Sequence, residues 1–244
     1  MELALEEIKV YYLISEKHGM SVEGRGDLRS PGLKLLLSLE GADVLRLVDL
    51  RLLYKLGIRS VGITWNVDNK WGRSCYSKRD AGLTASGQEL VEAAQKLGVL
   101  VDLAHTGKRT ALDAIEAAKK PVVVSHANVA AVAPHPRNVD DEVLKALADN
   151  GGVLGLTLIP KTIGEGPLPR SLVKHAACVE GKFGVEILAL GTDYLGMPAA
   201  PPGLESIDKI GRLLSALREV GFTEEEVGAA AWRNAYRVLD EALA

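Results

Sequence analysis

Only two of the 244 residues are cysteine, Cys75 and Cys178, too few for a disulfide framework. Such usage suits a reducing compartment, and a cytoplasmic protein is expected. Neither thiol has a base near it in sequence, so both read as packing residues. An excess of one charge is also lacking: 29 basic residues face 32 acidic ones, net −3. Nothing electrostatic therefore favours a nucleic acid or an anionic membrane as partner. No apolar run approaches the ~20 residues that span a bilayer. The first residues, Met1 to Glu7, are acidic and lack the basic head and apolar core of a secretion signal. Compositional bias is absent too: 47% hydrophobic, 25% charged and 5% aromatic excludes disorder, collagen and coiled coil.

What is present is a rhythm. Residues 2–17 set Leu5, Ile8, Tyr12 and Leu13 on one helical stripe, with Gly19 as the stop. Residues 19–32 carry four glycines and a proline and read as loop. After Pro31, short apolar runs alternate with amphipathic stretches. The runs are Leu35–Leu39, Ser60–Thr64, Leu100–Ala104, Val122–Ser125, Val153–Leu158 and Ile187–Gly191. Helices are expected over Asp43–Leu56, Ala85–Leu97, Lys108–Ala118, Asp140–Asn150, Pro169–Phe183 and Glu224–Leu243. Apolar strands of about five residues separated by helices predict a parallel sheet buried on both faces. No composition shift marks a boundary, so residues 1–244 are expected to form one domain, with 1–32 as an atypical helix plus loop.

Two α/β architectures fit this alternation. The doubly wound sheet needs a glycine-rich phosphate turn, and neither G-x-G-x-x-G nor a Walker A pattern occurs. The barrel instead needs polar reactive residues at the carboxyl ends of several strands. The six runs lead into Glu40, Trp65, His105, His126, the 157–160 stretch and Asp193. A TIM-type (β/α)8 barrel is therefore expected. Six of its strands are visible, so closing the barrel would need two βα units ahead of Met1 or an unusual substitute for them. Exposed sheet edges need cover, and a homodimer is the expected form.

His105 closes Val-Asp-Leu-Ala-His and His126 closes Val-Val-Val-Ser-His. Two imidazoles and a carboxylate, Glu40, at neighbouring strand ends make a set suited to Zn²⁺. Each histidine alone could equally be a core residue bonded to a backbone carbonyl. Asp193 could serve as general base or as a further ligand, or else cap a helix. Arg137, in His-Pro-Arg-Asn, suits a substrate carboxylate through bidentate bonds, or is a solvated loop residue. Asp102 is expected to face away from His105, and His135 to lie on the surface. His18 and His175 fall in polar helical contexts without a site signal.

The segment from Gly62-Ile-Thr-Trp-Asn through Gly82-Leu-Thr-Ala-Ser-Gly-Gln-Glu-Leu-Val to Leu97-Gly-Val-Leu-Val-Asp-Leu-Ala-His105 closely resembles the renal (membrane) dipeptidase family of zinc peptidases. Pro121-Val-Val-Val-Ser-His126, His135-Pro-Arg-Asn138, Gly151-Gly-Val-Leu-Gly, Leu190-Gly-Thr-Asp193-Tyr and Asn234-Ala-Tyr-Arg-Val-Leu continue the match, over roughly residues 33–244. The resemblance implies an eight-stranded α/β barrel with a two-zinc centre that hydrolyses dipeptides. It also implies that Glu40 bridges the metals and that His105 and His126 ligate the second of them. Arg137 would hold the substrate carboxylate, with Asp193 the acidic group after the last strand.

Three positions depart from that pattern. Nothing in residues 1–32 supplies the family's first-strand His-x-Asp pair, which coincides with the strands missing by count. Either the reading frame starts inside the gene or the protein is a shortened relative. Trp65 stands where the family commonly has a histidine that polarises the substrate carbonyl; an indole offers one N–H donor only. The usual Ser-Asp-Phe-Asp-Gly reads Thr-Asp-Tyr-Leu-Gly, with Leu195 in place of the second acid. The expected function is thus a metal-dependent dipeptidase. The alternatives are a silent relative that binds without turnover, or a mononuclear hydrolase of another small amide with Trp65 lining its pocket.

Overall fold

The computed structural model describes residues 2–18 and 21–243; the expected stop at Gly19 lies outside them. The chain divides into two compact units, residues 1–121 with 239–244, and residues 122–238.

In the first unit, α1 (Glu2–His18) and α2 (Arg25–Arg29) precede β1 (Leu37–Leu39), α3 (Leu50–Lys55), β2 (Ile58–Gly62), α4 (Ala85–Leu97), β3 (Leu100–Asp102) and α5 (Lys108–Ala117). The strands pair in parallel in the order β1-β2-β3. Every residue of β2 and β3 is buried, as apolar strands covered on both faces require. α4 begins where the Thr84 hydroxyl accepts the Gly87 N–H and ends at Gly98, whose φ is +77°.

Three expectations need correction here. The stretch 19–32 is not all loop, because the Asp27 carboxylate takes the N–H groups of Glu23 and Gly24 and starts α2. The helix expected from Asp43 reduces to a 3₁₀ turn at Leu47–Asp49 followed by α3. Asp49 there holds both the backbone N–H and the guanidinium of Arg46. β2 starts two residues earlier than its apolar run, since it includes Arg59. That buried guanidinium is satisfied by the carbonyls of Glu23, Tyr54 and Ile58.

The second unit comprises β4 (Val123–Ala127), α6 (Asp141–Asp149), β5 (Val153–Leu156), α7 (Pro160–Ile163), α8 (Arg170–Phe183), β6 (Leu188–Leu190), α9 (Gly211–Glu219), α10 (Glu224–Gly228) and the part of α11 (Asn234–Ala242) up to Val238. Its strands are parallel in the order β4-β5-β6. They approach closely at one point: a Cβ on Gly155 or Gly191 would sit 2.0 or 1.8 Å from the Ser125 carbonyl oxygen.

Two further differences belong to this unit. The single helix expected from Glu224 is interrupted by a π turn at Ala229–Arg233. Beyond that turn, the Asn234 amide donates to the carbonyls of Val185 and Leu188. His175 is not on a polar face but fully buried. Its Nδ1 accepts the Val129 N–H at 3.0 Å and its Nε2 lies 3.0 Å from the Ile163 carbonyl, a link between the loop after β4 and α7. Burial, the largest influence, pushes its pKa below the usual 6.5. No helix among the described residues is long and apolar enough to cross a membrane.

Candidate functional site

In the first unit, β1, β2 and β3 run into Glu40, Trp65-Asn66 and His105 respectively. Parallel strands put all of these at one end of their sheet. His105 turns there with φ +67°, a left-handed conformation uncommon outside glycine. Its carbonyl is held by the Cys75 N–H at 2.7 Å and by the Thr64 hydroxyl at 3.3 Å. The ring is thereby fixed with Nδ1 2.8 Å from Asn66 Oδ1 and Nε2 3.0 Å from Glu40 Oε1. The imidazole is 7% exposed and the Glu40 side chain 51%, so a buried nitrogen meets a carboxylate open to solvent. The Trp65 ring stands 5.9 Å from that of His105 at 37°, and Trp65 is 47% exposed. Asp102 is buried, and its Oδ1 accepts the Ala104 N–H at 2.9 Å, which shapes the turn into His105.

In the second unit, His126 lies on β4, partly buried, with Nδ1 2.8 Å from Ser125 Oγ. Its carbonyl accepts Nη2 of Arg137 at 3.1 Å. Arg137 is 6% exposed, which removes the solvated-loop alternative. The Arg137 N–H donates to His135 Nδ1 at 3.1 Å. His135 is part-buried rather than a plain surface residue. Burial first, then the positive charges of Arg137 and Lys161, lower its pKa. Asp193 follows β6 with φ +60°. Leu195, at the position of the family's second acid, is fully exposed with φ +71°.

The donors at His105 fit a metal. An amide oxygen only accepts, so Nδ1 carries the hydrogen and Nε2 turns its lone pair towards Glu40. Two acceptors 3.0 Å apart repel unless they share a cation, either a proton or a metal ion. Two ligands of one tetrahedral zinc, each at about 2.0–2.1 Å, stand about 3.3 Å apart, close to the separation of Nε2 and Oε1 here. Metal-bound histidines commonly donate their second ring N–H to an oxygen, the part taken here by Asn66.

Against known proteins, the model of the family described as membrane dipeptidase (Peptidase family M19) matches residues 1–244. The chain belongs to that family. Among curated proteins, this M19 chain is 32% identical to the dipeptidase tcpJ of Claviceps purpurea over 197 residues, 79% of this chain and 46% of the relative. It is also 32% identical to the dipeptidase verJ of Clonostachys rogersoniana, over 78% of this chain and 50% of the relative. The chain thus spans about half the length of the curated relatives it matches. Among solved structures, an amidohydrolase from Pseudomonas aeruginosa superposes with a TM-score of 0.91 at 24% identity, covering 100% of this chain and 85% of that one. A metallo peptidase from Rhodobacter sphaeroides, bound to a phosphinate mimic of L-Ala-D-Ala, has a TM-score of 0.88 at 22% identity over 96% of this chain and 73% of its own. These likenesses establish a shared α/β fold.

Of the residues expected at the site, the first unit brings Glu40, His105 and Trp65 together, and the second brings His126 and Arg137 together. Asn66 was not among those expected. The available signal was its place, one residue after Trp65 at a strand's carboxyl end.

Proposed function

We propose that this chain is a metal-dependent hydrolase that cleaves the peptide bond of dipeptides, with residues 1–244 acting as one hydrolase domain. The carrying observation is the His105 imidazole, oriented by Asn66 so that Nε2 meets Glu40 Oε1 at 3.0 Å. In this reading His126 completes a Glu-His-His donor set of one hard oxygen and two imidazole nitrogens, the composition zinc favours. Zinc held there would supply the Lewis acidity that hydrolysis near neutral pH needs.

The other roles fall to the chain itself. Arg137, kept dry and anchored on the His126 carbonyl, binds the substrate carboxylate, an attraction strengthened by desolvation. Asp193, held in a strained turn after β6, accepts a proton from the attacking water at a carboxylate oxygen and passes it to the leaving amine. Trp65 lines the pocket beside His105 and excludes water from the imidazole. The substrate is a small molecule, and the working form is a homodimer.

Trp65 also favours a second reading, a relative that binds dipeptides without cleaving them, because its N–H donates but carries no positive charge. Dipeptide hydrolysis at saturating zinc or cobalt separates the two. Turnover that disappears in His105→Ala supports the hydrolase. Binding with turnover no higher than in that variant supports the silent relative.

A further inference from the structure

The segment after β2 lines a shallow cleft of about 660 Å³, open to solvent, in the first unit. Asn66 is part of its wall, and the side chain of that residue holds His105. The cleft therefore adjoins the imidazole through one shared residue.

Its floor is built before any ligand arrives. Asp68 accepts the Ser74 N–H and the Ser77 hydroxyl, both at 2.9 Å, and lies 3.8 Å from the Arg73 guanidinium. The Ser74 hydroxyl returns to the Asn66 carbonyl at 3.3 Å. Asp80, the next acid along the chain, is spent elsewhere: its carboxylate takes the Arg109 N–H and the Thr110 hydroxyl at the start of α5. One carboxylate is thus left in the wall against three cations, Arg73, Lys78 and Arg79. Among the described residues, no carboxylate lies within ion-pair distance of Lys78 or Arg79. Lys78 and Arg79 are exposed at this wall; a surface with surplus positive charge attracts an anion, and a planar guanidinium suits a carboxylate best.

We propose that this cleft receives the side-chain carboxylate of an acidic residue in the substrate, so that the preferred dipeptides contain aspartate or glutamate. The assignment rests on the dipeptidase reading for its substrate class. Arg79 and Lys78 bind the carboxylate, Arg73 adds to the field, and Asn66 marks the border with the metal ligands.

The test uses the zinc-loaded full chain, K78E/R79E, and the milder K78Q/R79Q. Two readouts are compared: kcat/KM for dipeptides differing only as glutamate or glutamine, and calorimetric binding of glutarate at low and high salt. The native chain should prefer the glutamate peptide about tenfold. K78E/R79E should abolish that preference and the salt-sensitive glutarate binding, with K78Q/R79Q intermediate and all three proteins melting alike. Equal rates on both peptides in the native chain, or a preference unchanged in the variants, overturn the assignment while leaving the dipeptidase reading intact. If neither peptide is cleaved yet glutarate binds the native chain and not K78E/R79E, the dipeptidase reading fails and the cleft stands as an acid-binding site. Absence of both turnover and glutarate binding overturns both.

Discussion

Asn66 Oδ1 stands 2.8 Å from His105 Nδ1, and this contact decides which ring nitrogen of His105 faces Glu40. It fixes the tautomer of a buried imidazole and leaves the Nε2 lone pair directed at a carboxylate 3.0 Å away. Substituting Asn66 by alanine frees the ring to change tautomer or to rotate. The expected result is a loss of about 10–100-fold in zinc affinity. Competition against a chelating dye measures it directly, and an unchanged affinity would remove Asn66 from the account.

Gly191 controls His126 from behind. A Cβ there would lie 1.8 Å from the carbonyl oxygen of Ser125, the residue before His126. Gly191→Ala is expected to push β4 aside, costing about 1–3 kcal/mol of stability and weakening zinc binding as well. Gly211→Ala is the control, because its Cβ would meet nothing within 4 Å. Melting curves and zinc titrations should separate the two variants; equal behaviour would refute the packing argument.

How much of this could be read from the sequence follows from what each signal measures. Apolar runs located the six strands because burial on both faces leaves little room for polar residues, and Arg59 hid the start of β2 because a charged residue breaks the apolar pattern, its guanidinium being satisfied by the carbonyls of Glu23, Tyr54 and Ile58. α4 matches its expected bounds, Ala85–Leu97, because Thr84 and Gly98 cap it through local chemistry. Glu40, His105 and His126 were legible as polar residues following apolar strands. Asn66 was not, since its partner is 39 residues away and no periodicity encodes such a contact. His175 looked like a polar helical residue for the same reason: its partners, Val129 and Ile163, come from elsewhere in the chain.

The pH dependence of folding should report His175 and His135, whose pKa values are both lowered from 6.5, chiefly by burial. The unfolded chain takes up these protons near 6.5, whereas the folded chain resists until lower pH. Stability is therefore full above 6.5 and declines as pH falls from 6.5 towards the folded-state values, by at most about 1.4 kcal/mol per pH unit for each histidine. His175→Leu should flatten part of that slope. It also leaves the Val129 N–H and the Ile163 carbonyl without their partner, costing ~2–4 kcal/mol. Urea unfolding from pH 8 to pH 5 gives both quantities, and a parallel pH dependence in the variant would contradict the role given to His175.

Trp65 offers a gain-of-function test. The family resemblance implies a histidine at this position, and the indole lies 5.9 Å from His105. Trp65→His should raise kcat on dipeptides, by up to about 10²-fold if it restores a donor to the developing oxyanion. A fall in kcat would mean that the indole itself positions the substrate.

We propose that Glu40, His105 and His126 hold a metal ion. The direct measurement is the zinc-to-protein ratio by elemental mass spectrometry after reconstitution and desalting, in the native chain and in His105→Ala and His126→Ala. About one or more tightly held zinc per native chain is predicted, as three protein ligands allow, with a clear drop in each variant. A native chain that retains no metal, or variants that retain as much as the native chain, would contradict the account.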